Sequence, residues 1–446
     1  MYSRILTLVL AFACCLLATA QPPVYHVTVK NPTTEPRTHV PVVIALPHDF
    51  RTRSATLVSS STDLPSRNTA LVTSSTALPS KGAASLSRKS LYYNDNTPIP
   101  YQLDDLNDDG YADELFFLTD LEGNEERVFT ITLSEQKPTE PFTPRVYADM
   151  MLTNKKIKES NKQDLYISQL TVENGTNAYN MLHHHGAAFE SELVGYRIYF
   201  DHRQTVDIYG KYHPGLELQQ TQFYPDDEQK AQGFGDDVLW VGNTLGLGTL
   251  RGWDGQQPTM LRDVEHRSQR LVATGPLRVI IEMKDRQWRV LPGEEPINMT
   301  TRYTLMAGHR DCSVDILFED APADKCFVTG LINIKDSREI TDYKGLRGCW
   351  GTDWPVSAKD SIGHKRETVG LGICVPEEYF VEERPADADN YPIIVKPKDN
   401  RLHYDIVFCS DNEAFGYHSF KEWARFLAHW WQVLQAPVEV RIESSF

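Results

Sequence analysis

Long apolar runs are missing after the first twenty residues, so no later segment reads as a helix able to cross a hydrocarbon core of about 30 Å. An excess of basic charge is missing too: 45 Lys and Arg face 61 Asp and Glu among 446 residues, a formal net charge of −16. That balance argues against a nucleic-acid backbone or an anionic membrane surface as the main partner, because both attract basic patches. Gly and Pro, at 26 each, follow no period, and sustained heptads are lacking, which removes collagen-like and coiled-coil readings. Cysteine is sparse. Beyond Cys14 and Cys15 the chain has Cys312, Cys326, Cys349, Cys374 and Cys409, an odd number without a CxxC pair or zinc-like spacing. Cys312 and Cys326 alternate with Val, Ile and Phe as core residues of strands do.

What is present is 41% hydrophobic and 10% aromatic, a globular composition. Met1 to Ala20 reads as a signal peptide, with Arg4 as its positive start, Ile5 to Leu17 as its apolar stretch and Ala18-Thr19-Ala20 as its small-x-small cleavage site. The expected location is periplasmic or secreted.

Strand-like alternation begins at Val27 and Val29 and continues through Val40 to Leu46. Arg51 to Ser90 is Ser/Thr-rich, contains a near repeat (Leu57 to Ser66 against Leu71 to Ser80), and reads as an insertion. Strand signals return at Ile99 to Gln102, Glu114 to Leu118 and Arg127 to Leu133, before a Pro-rich linker at Pro138 to Pro144. From there alternating segments separated by Gly, Pro, Asp and Asn run almost to the end. Helical periodicity is clear only at Ser419 to Ala436. The expected fold is mostly β: a small β-sandwich-like domain over 21–140 carrying the insertion, then a large antiparallel two-sheet body over 141–446.

The densest chemistry lies between Asn180 and Lys211. With Asp201 to Arg203 as a turn, Arg197 falls opposite Asp207. Arg197, Tyr199, Asp207, Tyr209 and Lys211 then share one face, and Tyr196, Ile198, Phe200, Val206 and Ile208 the other. Cations, a carboxylate and phenols on one face suit an acidic sugar, since a guanidinium grips a carboxylate and Tyr stacks on a pyranose. The plainer alternative is a cross-strand ion pair on a solvated face. Within His183-His184-His185, strand alternation would send His183 and His185 into one site, either serving as acid or base near neutrality. Glu190, with Asp236, Asp237 and Asp254, is a candidate for the paired carboxylates that hydrolysis would need.

Two further stretches supply candidates. Asp236, Asp237, Trp253 and Asp254 sit in Gly-rich loops, and Trp350 and Trp354 in Gly348-Cys-Trp-Gly-Thr-Asp-Trp; together they would form the rim of a carbohydrate cleft. Asp105, Asn107, Asp109, Tyr111 and Asp113 match five of the liganding positions of a calcium loop, but Phe116 stands where the bidentate Glu belongs. That predicts weak calcium binding or a tight Asp/Asn turn; no other cofactor is expected.

The run His-His-Gly…Glu…Gly-Tyr-Arg-Ile-Tyr-Phe-Asp…Gln-Thr-Val-Asp-Ile-Tyr-Gly-Lys211, the turn Gln102-Leu-Asp-Asp-Leu-Asn-Asp-Asp-Gly-Tyr-Ala-Asp-Glu-Leu115 and the stretch Ala273-Thr-Gly-Pro-Leu-Arg278 resemble the secreted bacterial family catalogued as domain of unknown function 4861. The resemblance implies a protein encoded beside polysaccharide-degrading enzymes, often those acting on uronate glycans such as pectins. It also implies a likeness to the supersandwich of galactose mutarotases and polysaccharide lyases. It transfers no catalytic residue.

The expected partner is therefore an oligosaccharide or polysaccharide, acidic in character. The expected activity is β-elimination or a related proton abstraction. Arg197 and Lys211 would neutralise the uronate carboxylate, with His183, His185, Tyr199 or Tyr209 moving protons. The alternatives are hydrolysis by paired carboxylates, non-catalytic glycan binding on Trp253, Trp350 and Trp354, and a mutarotase-like isomerase.

Overall fold

The computed structural model describes residues 23–47, 52–61, 99–136, 141–152, 165–221, 225–319, 324–357, 359 and 361–445. The signal-peptide reading of 1–20 and most of the Ser/Thr-rich insertion lie outside them.

Antiparallel strands build two bodies. In the smaller, strands Val24–Lys30, Ser54–Ser61, Glu126–Ser134 and Glu439–Ser445 form one sheet, and Arg37–Ala45, Tyr101–Asp104 and Glu114–Leu121 form the other. The inward residues of both, among them Val27, Val29, Val42, Ile44, Phe117, Phe129 and Ile131, close a single core. Two expectations change here. Ser54–Ser61, read as the start of the insertion, is a strand paired with Glu126–Ser134. The last strand, Glu439–Ser445, read with the large body, lies beside the first strand, with Val27 opposite Ile442.

The larger body rests on a nine-stranded antiparallel sheet. Its central strands Ile297–Met306 and Asp311–Glu319 alternate buried and partly exposed residues, as the period of two in their sequences requires. The buried side shares one core with a five-stranded sheet containing Phe327–Ile332 and Asn390–Val395, and with a second five-stranded sheet that carries the candidate site. The helix Phe420–Gln435 is capped by Ser419, whose side chain accepts from the Glu422 amide, and it buries Trp423, Leu427 and Trp430. It lies on strands Leu346–Asp353 and Glu367–Cys374. Gly370 makes that approach feasible, because a Cβ there would meet the Trp423 ring at 2.7 Å.

Candidate active site

The site sheet runs Asp236–Asp237, Val206–Gly210, Gly195–Tyr199, Gly186–Ser191, Val146–Asp149 from edge to edge. Arg197 pairs with Asp207 in the register expected from parity. Tyr196, Ile198, Phe200, Val206 and Ile208 enter the main core, as their shared parity requires. The opposite face is polar in chemistry and still buried. Two small residues in its middle, Ala188 opposite Arg197 and Gly195 opposite Tyr209, leave room for the long side chains around them.

Five carboxyl groups meet two cations on this face: Asp149, Glu190, Asp207, Glu217 and Asp237 against Arg197 and Lys211, all with 8% exposure or less. Arg197 Nη2 donates to Asp207 at 2.6 Å and also to Asp237. Tyr199 donates its phenol to the same Asp207 oxygen at 2.6 Å. Lys211 Nζ donates to Glu190 at 2.5 Å, to the Ser191 carbonyl at 2.7 Å and to the Gly215 carbonyl. Glu190 in turn accepts from the Glu217 and Leu218 amides at 2.8 Å. Tyr209 donates to the Gly235 carbonyl at 2.8 Å and the Glu217 carboxylate at 3.1 Å.

This geometry corrects several expected roles. Lys211 spends all three of its N–H donors inside the protein, and Arg197 is bound by two carboxylates, so neither is presented to a substrate carboxylate. Glu190 has both oxygens engaged by Lys211 and main-chain amides and holds the loop at 217–218 in place. Burial, reinforced by Asp207, pushes the Tyr199 phenol well up, and burial with Glu217 does the same for Tyr209. Both phenols donate; neither serves as a base.

The surplus of carboxyl groups has an electrostatic consequence. In a buried cluster of like charges some groups keep their protons. Burial, with Asp207 beside it, pushes Asp237 well above the usual carboxylate range. Glu217 is raised by burial as well. Asp149 is pushed up to about 7 by burial; the Tyr147 hydrogen bond opposes the rise and Glu190 adds to it. Its Oδ2 accepts from the Tyr147 phenol at 3.0 Å, while Oδ1 has no hydrogen-bond partner among the described residues. Tyr147 also bonds to Tyr166, which is 46% exposed. A carboxyl group that changes protonation near neutrality thus lies behind two phenols that lead to solvent.

The histidines do not alternate. His183–His185 form a single 3-10 turn, and His184 and His185 both take left-handed backbone angles, φ 53° and 64°. Two successive non-glycine residues in that region store strain, which persists where surrounding structure enforces it. As a result His183 and His184 are both buried, their ring centroids 4.0 Å apart. Burial, helped by His183 and Arg197, holds His184 well below the usual imidazole range. His185 points to the rim: its ring stacks on Tyr179 at 3.8 Å and its Nδ1–H donates to the Tyr179 carbonyl at 3.0 Å. Burial lowers His185 too, so at neutral pH Nε2 carries a lone pair. The Arg203 guanidinium covers the Tyr179 and Tyr199 rings at 4.5 and 5.0 Å.

The model of the family described as domain of unknown function (DUF4861) matches residues 58–440. The chain belongs to the DUF4861 family. Comparison with curated proteins finds no match. Among solved structures the DUF4861 chain is similar to a protein in glycosyl hydrolase family 38 from Enterococcus faecalis (10% identity, TM-score 0.42, 95% of this chain and 47% of that one). It is also similar to an alpha-mannosidase from Enterococcus faecalis V583 (10%, 0.41, 95% and 46%). The chain spans about half the length of these solved structures.

Two of the runs that resemble DUF4861 meet in space and join the two bodies. Gln102 accepts from the Leu277 and Arg278 amides at 2.9 Å, and Arg278 grips Asp104 at 2.6 Å and Glu114 at 2.5 Å. Gly275 is required by this contact: a Cβ there would meet Gln102 at 2.3 Å. The adjoining acidic loop is bonded to itself. Asp105 accepts from the amides of Asp108, Asp109 and Gly110, Asn107 from Asp109, Asp109 from Tyr111 and Asp113 from Leu106. Among the described residues no group of three or more His, Cys, Asp or Glu side chains is arranged to hold a metal.

The expected aromatic rim does not assemble. Trp253 packs with Leu245, Val328 and Ile394, Trp350 packs under the C-terminal helix, and Asp254 caps its own turn by accepting from the Gln256 and Gln257 amides. Trp354 alone comes near the site, its carbonyl accepting from the Trp240 amide at 2.9 Å. Asp236 lies at the sheet edge, paired with Lys230 at 2.7 Å. The sequence reading missed Tyr147, Asp149 and Tyr166. Tyr147 and Asp149 had a signal, an i, i+2 pair on a short strand after the Pro-rich linker.

Proposed function

We propose that the chain is an exported carbohydrate-active enzyme that works by proton transfer from the acid-rich sheet face, with Asp149 as general acid and the Tyr147 and Tyr166 phenols as the stacking surface that guides the sugar to it. The observation that carries this reading is Asp149 itself: deeply buried, one oxygen without a partner among the described residues, and raised to about 7. A carboxylic acid whose proton is held up to near neutrality by burial is the electrostatic arrangement used to protonate a glycosidic oxygen. Hydrolysis is the reaction this geometry supports best, because elimination at a uronate needs a cation to neutralise the substrate carboxylate and both buried cations are already consumed. The uronate-containing glycan is proposed on the family resemblance, and export on residues 1–20. Calcium is not required.

One observation favours elimination as the second reading. His185 is a neutral imidazole at the rim, next to the Tyr199–Asp207 hydrogen bond; the neighbouring Arg203 guanidinium is half-buried but is itself held by Asp201 at 2.6 Å, so a substrate carboxylate would have to compete with Asp201 for it. Incubating the protein with a panel of uronate and neutral oligosaccharides separates the two. New reducing ends without ultraviolet absorbance support hydrolysis, new ultraviolet absorbance from an unsaturated sugar supports elimination, and binding without any product contradicts both.

A further inference from the structure

The solvent side of the nine-stranded sheet carries a second concavity, of about 510 Å³, within the size range of small-molecule sites. Cross-strand register aligns Arg270, Glu282, Arg302, Asp315 and His403 in one row, cation and anion alternating. The row is internally satisfied. Glu282 takes Arg270 at 3.2 Å and Arg302 at 2.7 Å, and His403 reaches Asp315 through Nδ1 at 2.9 Å and Asp405 through Nε2 at 3.2 Å. Burial opposes charge on His403, but its hydrogen bonds to the two carboxylates prevail and push it up to about 10, so the ring is an imidazolium at neutral pH.

Arg401 departs from this pattern. It stands opposite Leu317, is exposed, and among the described residues its guanidinium pairs with no side chain. Leu317 is 36% exposed, and the Tyr379 ring flanks it, half-buried. An aliphatic side chain and a phenol make an apolar floor suited to the C–H face of a pyranose. The guanidinium of Arg401, opposite Leu317 in the same concavity, offers the bidentate donors that carboxylates and sulfates accept. The other acidic group of the lining, Glu378, is paired with Lys398 at 2.9 Å, so it does not engage Arg401.

We propose that this concavity is a binding subsite for an anionic sugar residue, its ring laid on Leu317 and Tyr379 and its acid group held by Arg401. The site is independent of the Asp149 face and stands whether or not that face is catalytic. It is tested by titration calorimetry of the full chain with a uronate trisaccharide, the methyl ester of the same trisaccharide, and a sulfated neutral trisaccharide. The variants are Arg401→Gln, Tyr379→Ala and Asp149→Asn. The expected result is binding of the uronate, the sulfated sugar or both, at least about tenfold weaker binding of the ester, and about a tenfold loss in Arg401→Gln at unchanged melting temperature. Asp149→Asn should keep the affinity that Arg401→Gln loses, which separates this site from the proposed active site. The preferred sugar of the two acidic ones tells whether a carboxylate or a sulfate is read. Equal binding of acid and ester, wild-type affinity in Arg401→Gln, or no binding of either acidic sugar overturns the proposal.

Discussion

At the scale of single residues, Asp149 is the group on which function and stability meet. An aspartate ordinarily near ~3.9 and held at about 7 in the fold corresponds to about 4 kcal/mol between low and neutral pH. Below pH ~4 the carboxyl is protonated folded or unfolded and costs nothing. As pH rises the unfolded chain releases its proton first, so stability falls until the folded group also ionises near 7. Thermal melts of wild type and Asp149→Asn across pH 4 to 8 should therefore diverge, with the wild type losing more stability over that range; parallel curves would remove the raised acidity from the account. Sequence alone shows none of this, because Val146-Tyr-Ala-Asp149 is an ordinary strand and only burial beside Glu190 gives its last residue an unusual proton. The histidine turn was hidden for a related reason, since left-handed angles at His184 and His185 are imposed by neighbours distant in the chain.

At the scale of elements, the hairpin 195–210 shows what patterning reveals and where it stops. Alternation fixed which residues share a face, and the observed pairing of Arg197 with Asp207 follows from it. Patterning does not report that the polar face is buried too, since other segments, Gly215 to Leu218 and Gly235 to Asp237, cover it from outside the hairpin. The role of Arg197 changes accordingly. Arg197→Ala would leave Asp207 and Asp237 buried together without their shared cation, and such a removal costs about 3–5 kcal/mol. Chemical denaturation should show a loss of that order; a fold as stable as wild type would mean that the face is more open than described. The helix at 420–435 was legible for the opposite reason. Its Ser cap and its stripe of Trp423, Leu427 and Trp430 are local signals.

At the scale of the whole molecule, the mostly β architecture in two bodies was legible from strand-length alternation and turn residues, while the route of the chain between them was not. The final strand returns to the first, and the Gln102–Arg278 contact joins segments 176 residues apart; pairing across such separations leaves no local trace. Arg278 is nearly fully buried and holds Asp104, itself 4% exposed. Arg278→Ala should therefore loosen the small body against the large one, speeding amide hydrogen exchange in strands Tyr101–Asp104 and Glu114–Leu121 while the centre of the nine-stranded sheet stays protected. Uniform exchange across both bodies would show that they unfold as one unit regardless of this contact.

The central claim is that the acid-rich face is catalytic through Asp149. Turnover of wild type and Asp149→Asn on whichever oligosaccharide the wild type degrades tests it most directly, with melting curves recorded at the same pH. The account predicts a loss of at least about 100-fold in a variant that is folded and, above pH 7, no less stable than wild type. Turnover within a few-fold of wild type in folded Asp149→Asn would contradict it.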